Sequence, residues 1–182
     1  MRERGFSKPA NPVPFMTAAT LLALFDAKAQ DYDVDEDVVN RAIRTLQVAR
    51  KPSNGAFGYY GNPRSPSAVP GATGRMLISE IALYKAGKGA PFLVRGALDA
   101  FFTHWGRLDE RRAKTGTHKD PFGVAPYYFY FAHYYAGMAI ELLPGRADRR
   151  EYRRLLHARL ESVRLEAGTW NEQDTTRVAC SR

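Results

Sequence analysis

Two stretches of the sequence concentrate side chains capable of chemistry. Asp33-Val34-Asp35-Glu36-Asp37 is the densest acidic cluster. A carboxylic acid there could protonate a substrate, and several carboxylates together could hold magnesium. The same residues suit the start of a helix, where carboxylates cap free N–H groups and meet the positive end of the helix dipole. A calcium-binding loop is excluded, because its glycine and terminal glutamate are missing at the required offsets. If the cluster is catalytic, Asp35 is the acid.

The second stretch is Tyr127-Tyr128-Phe129-Tyr130-Phe131-Ala132-His133-Tyr134-Tyr135. On a helix, Tyr128, Phe131, Tyr135, Met138 and Leu142 share one face, which is expected to be core. Tyr130, His133, Tyr134, Gly137 and Glu141 share another, whose polar-aromatic character suits a cavity wall. Aromatic faces can stabilise a carbocation or hold an apolar chain, and a phenol or imidazole can donate hydrogen bonds. Large aromatics can equally fill the space between helices. Only Glu141 is placed by spacing to partner His133. Arg75 and Ser79 lie one helical turn apart, and Glu80 follows them within the otherwise apolar run Met76 to Leu83. Charges embedded in such a run either face a cavity or pair with each other. The candidate ligand-binding residues are therefore Arg75, Ser79, Tyr130, His133, Tyr134 and Glu141. The four histidines show no metal-ligand spacing, and the single Cys180 can form neither a disulfide framework nor a zinc site, so no metal and no cofactor is expected.

The elements that would position these residues emerge from an internal repeat. Val13-Pro14, Val69-Pro70 and Ala125-Pro126 each open a segment, and their prolines are 56 residues apart, twice over. Each opening leads into a helix-like stretch with an apolar-Ala-apolar triplet: Leu22-Ala23-Leu24, Ile81-Ala82-Leu83 and Met138-Ala139-Ile140. Second helices are predicted over 38–49, about 93–112 and 149–165. Each unit closes near a glycine and an aromatic, at Gly55-Ala56-Phe57, Pro121-Phe122-Gly123 and Gly168-Thr169-Trp170. Proline fits the first turn of a helix, glycine ends one, and the aromatic can plug the gap between successive hairpins. Loops over 52–67 and 113–126 interrupt the plan. No segment alternates with period two, so strands are not expected. The fold class is all-α: about three helical hairpins in one domain, with units near 13–60, 69–124 and 125–171 and a tail over 172–182.

Composition bounds the partners. The chain has 182 residues, of which 45% are hydrophobic and 25% charged, enough for one domain with a core. Net charge is +8, and seven arginines fall between Gly145 and Arg164. Tyr152, Leu155, Leu156 and Leu160 form an apolar seam among them, so the stretch reads as the solvated face of an amphipathic helix. No nucleic-acid motif accompanies it, and a nucleic-acid partner is not expected. No apolar run is long enough to span a membrane. Arg2, Arg4 and Lys8 before the apolar run from Phe15 to Phe25 imitate a secretory signal, but Pro12, Pro14 and Asp26 bound that run and the repeat absorbs it as a helix. The expected location is cytoplasmic, with secretion as the alternative.

Val13-Pro14-Phe15 through Ala23-Leu24, Gly55-Ala56-Phe57-Gly58-Tyr59, Ala125-Pro126 through Ala139, and Gly168-Thr169-Trp170-Asn171 together resemble the α/α toroid of terpenoid cyclases and protein prenyltransferase β subunits. More specifically, they resemble bacterial proteins with prenyltransferase/squalene-cyclase-type repeats. The resemblance implies an inner layer of first helices around an apolar cavity and an outer layer of second helices. With three hairpins, the chain would form part of such a ring. Asp33-Val34-Asp35-Glu36 comes near the Asp-x-Asp-Asp acid of the class II cyclases, although it precedes a second helix. The prenyltransferases' zinc set of Asp, Cys and His is not present. The resemblance thus implies non-catalytic binding of an apolar or isoprenoid-like ligand, a protein partner or a second copy of the chain. The alternative is a cyclase-like enzyme with Asp35 as acid and Tyr130 and Tyr134 shielding positive charge.

Overall fold

The computed structural model describes residues 12–60, 68–112, 114 and 122–170. His118, Cys180, Asn171, the basic residues before Pro12 and the tail over 172–182 lie outside them. Six helices make up three consecutive hairpins: α1 (Pro14–Lys28) with α2 (Glu36–Ala49), α3 (Val69–Lys85) with α4 (Pro91–Arg112), and α5 (Tyr128–Glu141) with α6 (Arg146–Glu161). Among the described residues no strand forms, and Arg50 and Phe57 make an isolated β-bridge. The protein is all-α, as the patterning predicts.

The helix starts follow local chemistry. Pro14 and Pro70 sit in the first turns of α1 and α3, where a missing N–H leaves no bond unmade. Pro126 instead lies in the turn ahead of α5, where its carbonyl accepts from the Phe129 N–H. The second helices begin two or three residues earlier than the apolar periodicity predicts; in α2 and α6 the charged residues that open the helix carry no apolar signal. The unit closures use glycine as expected: Gly55, Gly123 and Gly168 all have positive φ, at 68°, 63° and 77°.

α3 is the keel of the fold. It packs against α1 and α5 on its flanks and against α4 and α2, and every residue from Gly71 to Leu83 is buried. α1, α3 and α5 thus form one layer, with α2, α4 and α6 each packed on its hairpin partner. Arg95 pairs with Asp148 and Asp99 accepts from the Tyr152 hydroxyl, both across 53 residues. Both contacts advance together along α4 and α6, so these helices run in the same direction and successive hairpins repeat one orientation.

Close packing at the start of α3 leaves no room for a side chain at Gly71, where a Cβ would lie 1.7 Å from the Phe122 carbonyl oxygen. Gly137 is also helical, yet a Cβ there would meet only Leu156 Cδ2 at 3.9 Å. Urea unfolding should therefore separate the two. Gly71→Ala is expected to lose about 1–3 kcal/mol through a backbone clash. Gly137→Ala is expected to gain about 0.5–1 kcal/mol through reduced chain entropy in the unfolded state.

Candidate functional site

The residues singled out from sequence separate into several environments. Asp35 is exposed and forms the N-cap of α2, its Oδ1 accepting from the Asp37 N–H at 2.8 Å and the Val38 N–H at 3.3 Å. This is the capping geometry that the acidic cluster also allowed, and Glu36 and Asp37 occupy the first turn behind it. Glu141 is exposed and holds Arg153 of α6 through both carboxylate oxygens. That pairing keeps its carboxyl below the ordinary range. It joins the last hairpin together and does not face His133.

His133 is 5% exposed and both of its ring nitrogens are used. Trp105 on α4 donates its indole N–H to Nε2 at 2.9 Å, and Nδ1 lies 2.7 Å from the Phe129 carbonyl oxygen. An indole N–H can only donate, so Nε2 must accept and the proton sits on Nδ1, donating to Phe129. Burial lowers the imidazole from 6.5 to about 4, the Phe129 carbonyl and Asp109 pulling the other way and Arg112 adding to the decrease. A neutral imidazole with no free nitrogen fastens α5 to α4.

The faces of α5 are rotated from the sequence expectation. Its buried residues are Tyr128, Phe129, Ala132, His133, Ala136, Ala139 and Ile140. Of the face expected to be core, Tyr128 is buried, while Phe131, Tyr135, Met138 and Leu142 are only partly covered. Of the expected cavity wall, His133 is buried, Tyr130 is partly covered and Tyr134 is 65% exposed. The alanines 132, 136 and 139 explain the rotation. They let α5 approach α3 and α4 closely, and that close contact outweighs the larger area of the tyrosines.

The displaced aromatics meet residues from two other elements. Phe15 of α1 contacts Tyr59, Tyr128 and Phe131 at ring-centroid distances of 6.0, 5.9 and 5.9 Å. Tyr60 packs edge-on against Tyr59 at 5.0 Å, and Tyr127 lies tilted against Tyr128 at 4.5 Å. Phe131 continues the chain to Tyr135 at 4.8 Å, and Tyr135 to Tyr134 at 4.9 Å. These eight rings touch in an unbroken series, mostly edge to face, the geometry that ring quadrupoles favour. Three of them present large exposed areas: Tyr60 (49%), Tyr127 (39%) and Tyr134 (65%).

A positive charge lies beneath this series. Arg75 is 4% exposed, its Nε donating to the Phe57 carbonyl at 3.0 Å and its Nη1 to the Tyr128 hydroxyl at 3.3 Å. Its guanidinium carbon is 5.9 Å from the Tyr59 ring centre and 5.6 Å from that of Tyr128. No carboxylate among the described residues pairs with it, so a carbonyl, a phenol and two ring faces answer the charge. Ser79, one turn further along α3, is fully buried, and its hydroxyl has no hydrogen-bond partner among the described residues; the same holds for the Thr73 hydroxyl and for Glu80 Oε2. Glu80 Oε1 accepts from Arg50 Nε at 2.8 Å, which ties the end of α2 to α3.

The site therefore brings Arg75 together with Phe15, Tyr59 and Tyr128, reaches Tyr134 at the far end of the ring series, and sets apart Asp35, His133 and Glu141. Tyr59, the Phe57 carbonyl and the partnership of Trp105 with His133 carry no signal at short sequence separation. Among the described residues no group of three or more His, Cys, Asp or Glu side chains could hold a metal ion.

Two buried groups make the site's acid response testable. Burial pushes the Glu80 carboxyl up from 4.5 to about 6 against the pull of Arg50. The fold favours its neutral form, so its stabilising contribution is complete below pH 4.5 and is lost as pH rises through about 6. The His133 contribution has the opposite sign: complete above 6.5 and lost as pH falls through about 4. Glu80→Gln isolates the first. Its stability relative to the parent should rise by about 2 kcal/mol between pH 4.5 and 7.5 in urea titrations, and a pH-independent difference would refute the assignment. For His133, ring nitrogen shifts should stay those of the Nδ1–H tautomer from pH 8 to about 5 and change only near 4. No family model, curated protein or solved structure matches the chain.

Proposed function

We propose that this chain is a non-catalytic binding module of the α/α-toroid type, which takes a neutral apolar ligand on the tyrosine-rimmed face of the α1–α3–α5 layer. The unbroken eight-ring series over Arg75 carries this reading. Exposed tyrosines on a rigid aromatic base offer large contact area at little entropy cost, with hydroxyls left to orient a bound molecule. The layered hairpins, with first helices on one side and second helices on the other, support the toroid-type arrangement.

The buried guanidinium argues against the cyclase alternative. Arg75 already occupies the ring faces of Tyr59 and Tyr128. A carbocation about 6 Å away would be repelled by roughly 3 kcal/mol at an effective dielectric of about 20. Tyr59 and Tyr128 are thus already occupied by a fixed cation, while Tyr134, one of the two tyrosines expected to shield, is 65% exposed. Asp35, engaged as a helix cap on a different element, supplies no acid to this face.

Thermal unfolding with a neutral long-chain isoprenoid alcohol, run beside a solution mass measurement, tests the reading. At about 100 times the dissociation constant the ligand should raise Tm by roughly 5–10 °C. Replacing Tyr60 and Tyr134 together by Ser should remove most of that gain without lowering the Tm of the free protein by more than a few degrees. A dimer whose Tm ignores the alcohol would show that a second copy covers this face, and the small-molecule reading would then be dropped.

A further inference from the structure

The tyrosine face leaves the arginine-rich helix unexplained. Arg146, Arg149, Arg150 and Arg153 follow one another at i, i+3, i+4 and i+7 along α6, which sets four guanidinium groups on one stripe. Among the described residues these four side chains line a groove of about 290 Å³. Acidic neighbours neutralise it only in part, Glu141 acting on Arg149 as well as on Arg153. Asp148, the acid of the first turn, is taken by Arg95 across the hairpin boundary, and Glu151 is taken by Arg154. Arg153 has Glu141, but Arg149 donates only to the neutral carbonyls of Leu143 and Pro144. Arg146 and Arg150 have no partner among the described residues.

Such a cluster works against the helix that bears it. Like charges at i,i+4 repel, here as Arg146 with Arg150 and Arg149 with Arg153. Arg146 and Arg149 lie in the first turn, where the helix dipole also disfavours cations. Gly145 supplies no side-chain cap, so the first-turn N–H groups add to the positive potential. A solvated amphipathic face would have no need to concentrate its cations at this end or around a concavity.

The geometry points to a binding site for a phosphate-class dianion in this groove. Guanidinium forks match phosphate oxygens in pairs, and Arg146 and Arg150 are the two with forks to spare. A lone carboxylate carries one charge and occupies one fork. A phosphomonoester carries about 1.5 to 2 negative charges at pH 7 and a diphosphate more, and each has oxygens for both arginines and for the open helix start. The site sits on an outer helix, and its test is independent of the tyrosine face.

Calorimetric titration of the full chain with inorganic pyrophosphate, and co-sedimentation with phosphatidylcholine vesicles with and without phosphatidic acid, test the site. The expected result is binding that weakens at least tenfold in Arg146→Gln/Arg150→Gln, with the helical circular dichroism unchanged. Arg41→Gln/Arg44→Gln removes the same charge from exposed positions on α2 and should change the affinity less than twofold. Loss of pyrophosphate binding in the α6 variant identifies a free phosphate ligand. Loss confined to phosphatidic acid vesicles identifies a lipid headgroup, and either supports the site. Equal weakening by both double variants, no binding to either probe, or binding only to a duplex oligonucleotide would overturn it.

Discussion

The complete burial of α3 from Gly71 to Leu83 is the constraint on which the remaining structure depends. A helix surrounded on all sides must have its charged groups answered by whatever packs on it, because water cannot reach them. Arg75 is answered by the loop after α2, through the Phe57 carbonyl, and by α5, through Tyr128. Glu80 is answered by Arg50 at the end of α2. Two charges on one helix thereby anchor the segment from Arg50 to Phe57 that follows α2. The Arg50–Phe57 bridge and the fully buried Phe57 ring belong to the same fixture.

The second fixture joins α5 to α4 through Trp105 and His133. A neutral imidazole bonded at both nitrogens is directional, so it sets the rotation of α5 about its own axis. With Ala132, Ala136 and Ala139 turned inward beside it, the large rings of α5 have to leave the core. They collect instead over Phe15 and the Tyr59–Tyr60 turn. The aromatic face is thus a consequence of close packing by small residues elsewhere on the same helix.

Charge is distributed very unevenly over this frame. One guanidinium is enclosed under the rings and compensated by dipoles and π faces. Those of α6 stand at its exposed N-terminal end, some paired and some not. The enclosed cation disfavours positive charge on the aromatic face, and the exposed guanidinium groups disfavour it along α6.

The sequence by itself determined the helices and their pairing. Proline-led starts, glycines that adopt positive φ at Gly55, Gly123 and Gly168, and helical spacing of apolar residues are local properties, written within a turn or two of where they act. The dual nature of the acidic cluster was legible too, since capping needs only the residues that follow Asp35. Only the tertiary structure decided which face of α5 is core. Apolar periodicity ranks tyrosine above alanine, while close helix approach ranks them the other way. It also decided what surrounds Arg75, Glu80 and His133, because Phe57, Tyr128, Arg50 and Trp105 come from distant parts of the chain. Burial turns such encounters into constraints, and burial is a property of the packed whole that no local stretch of residues contains.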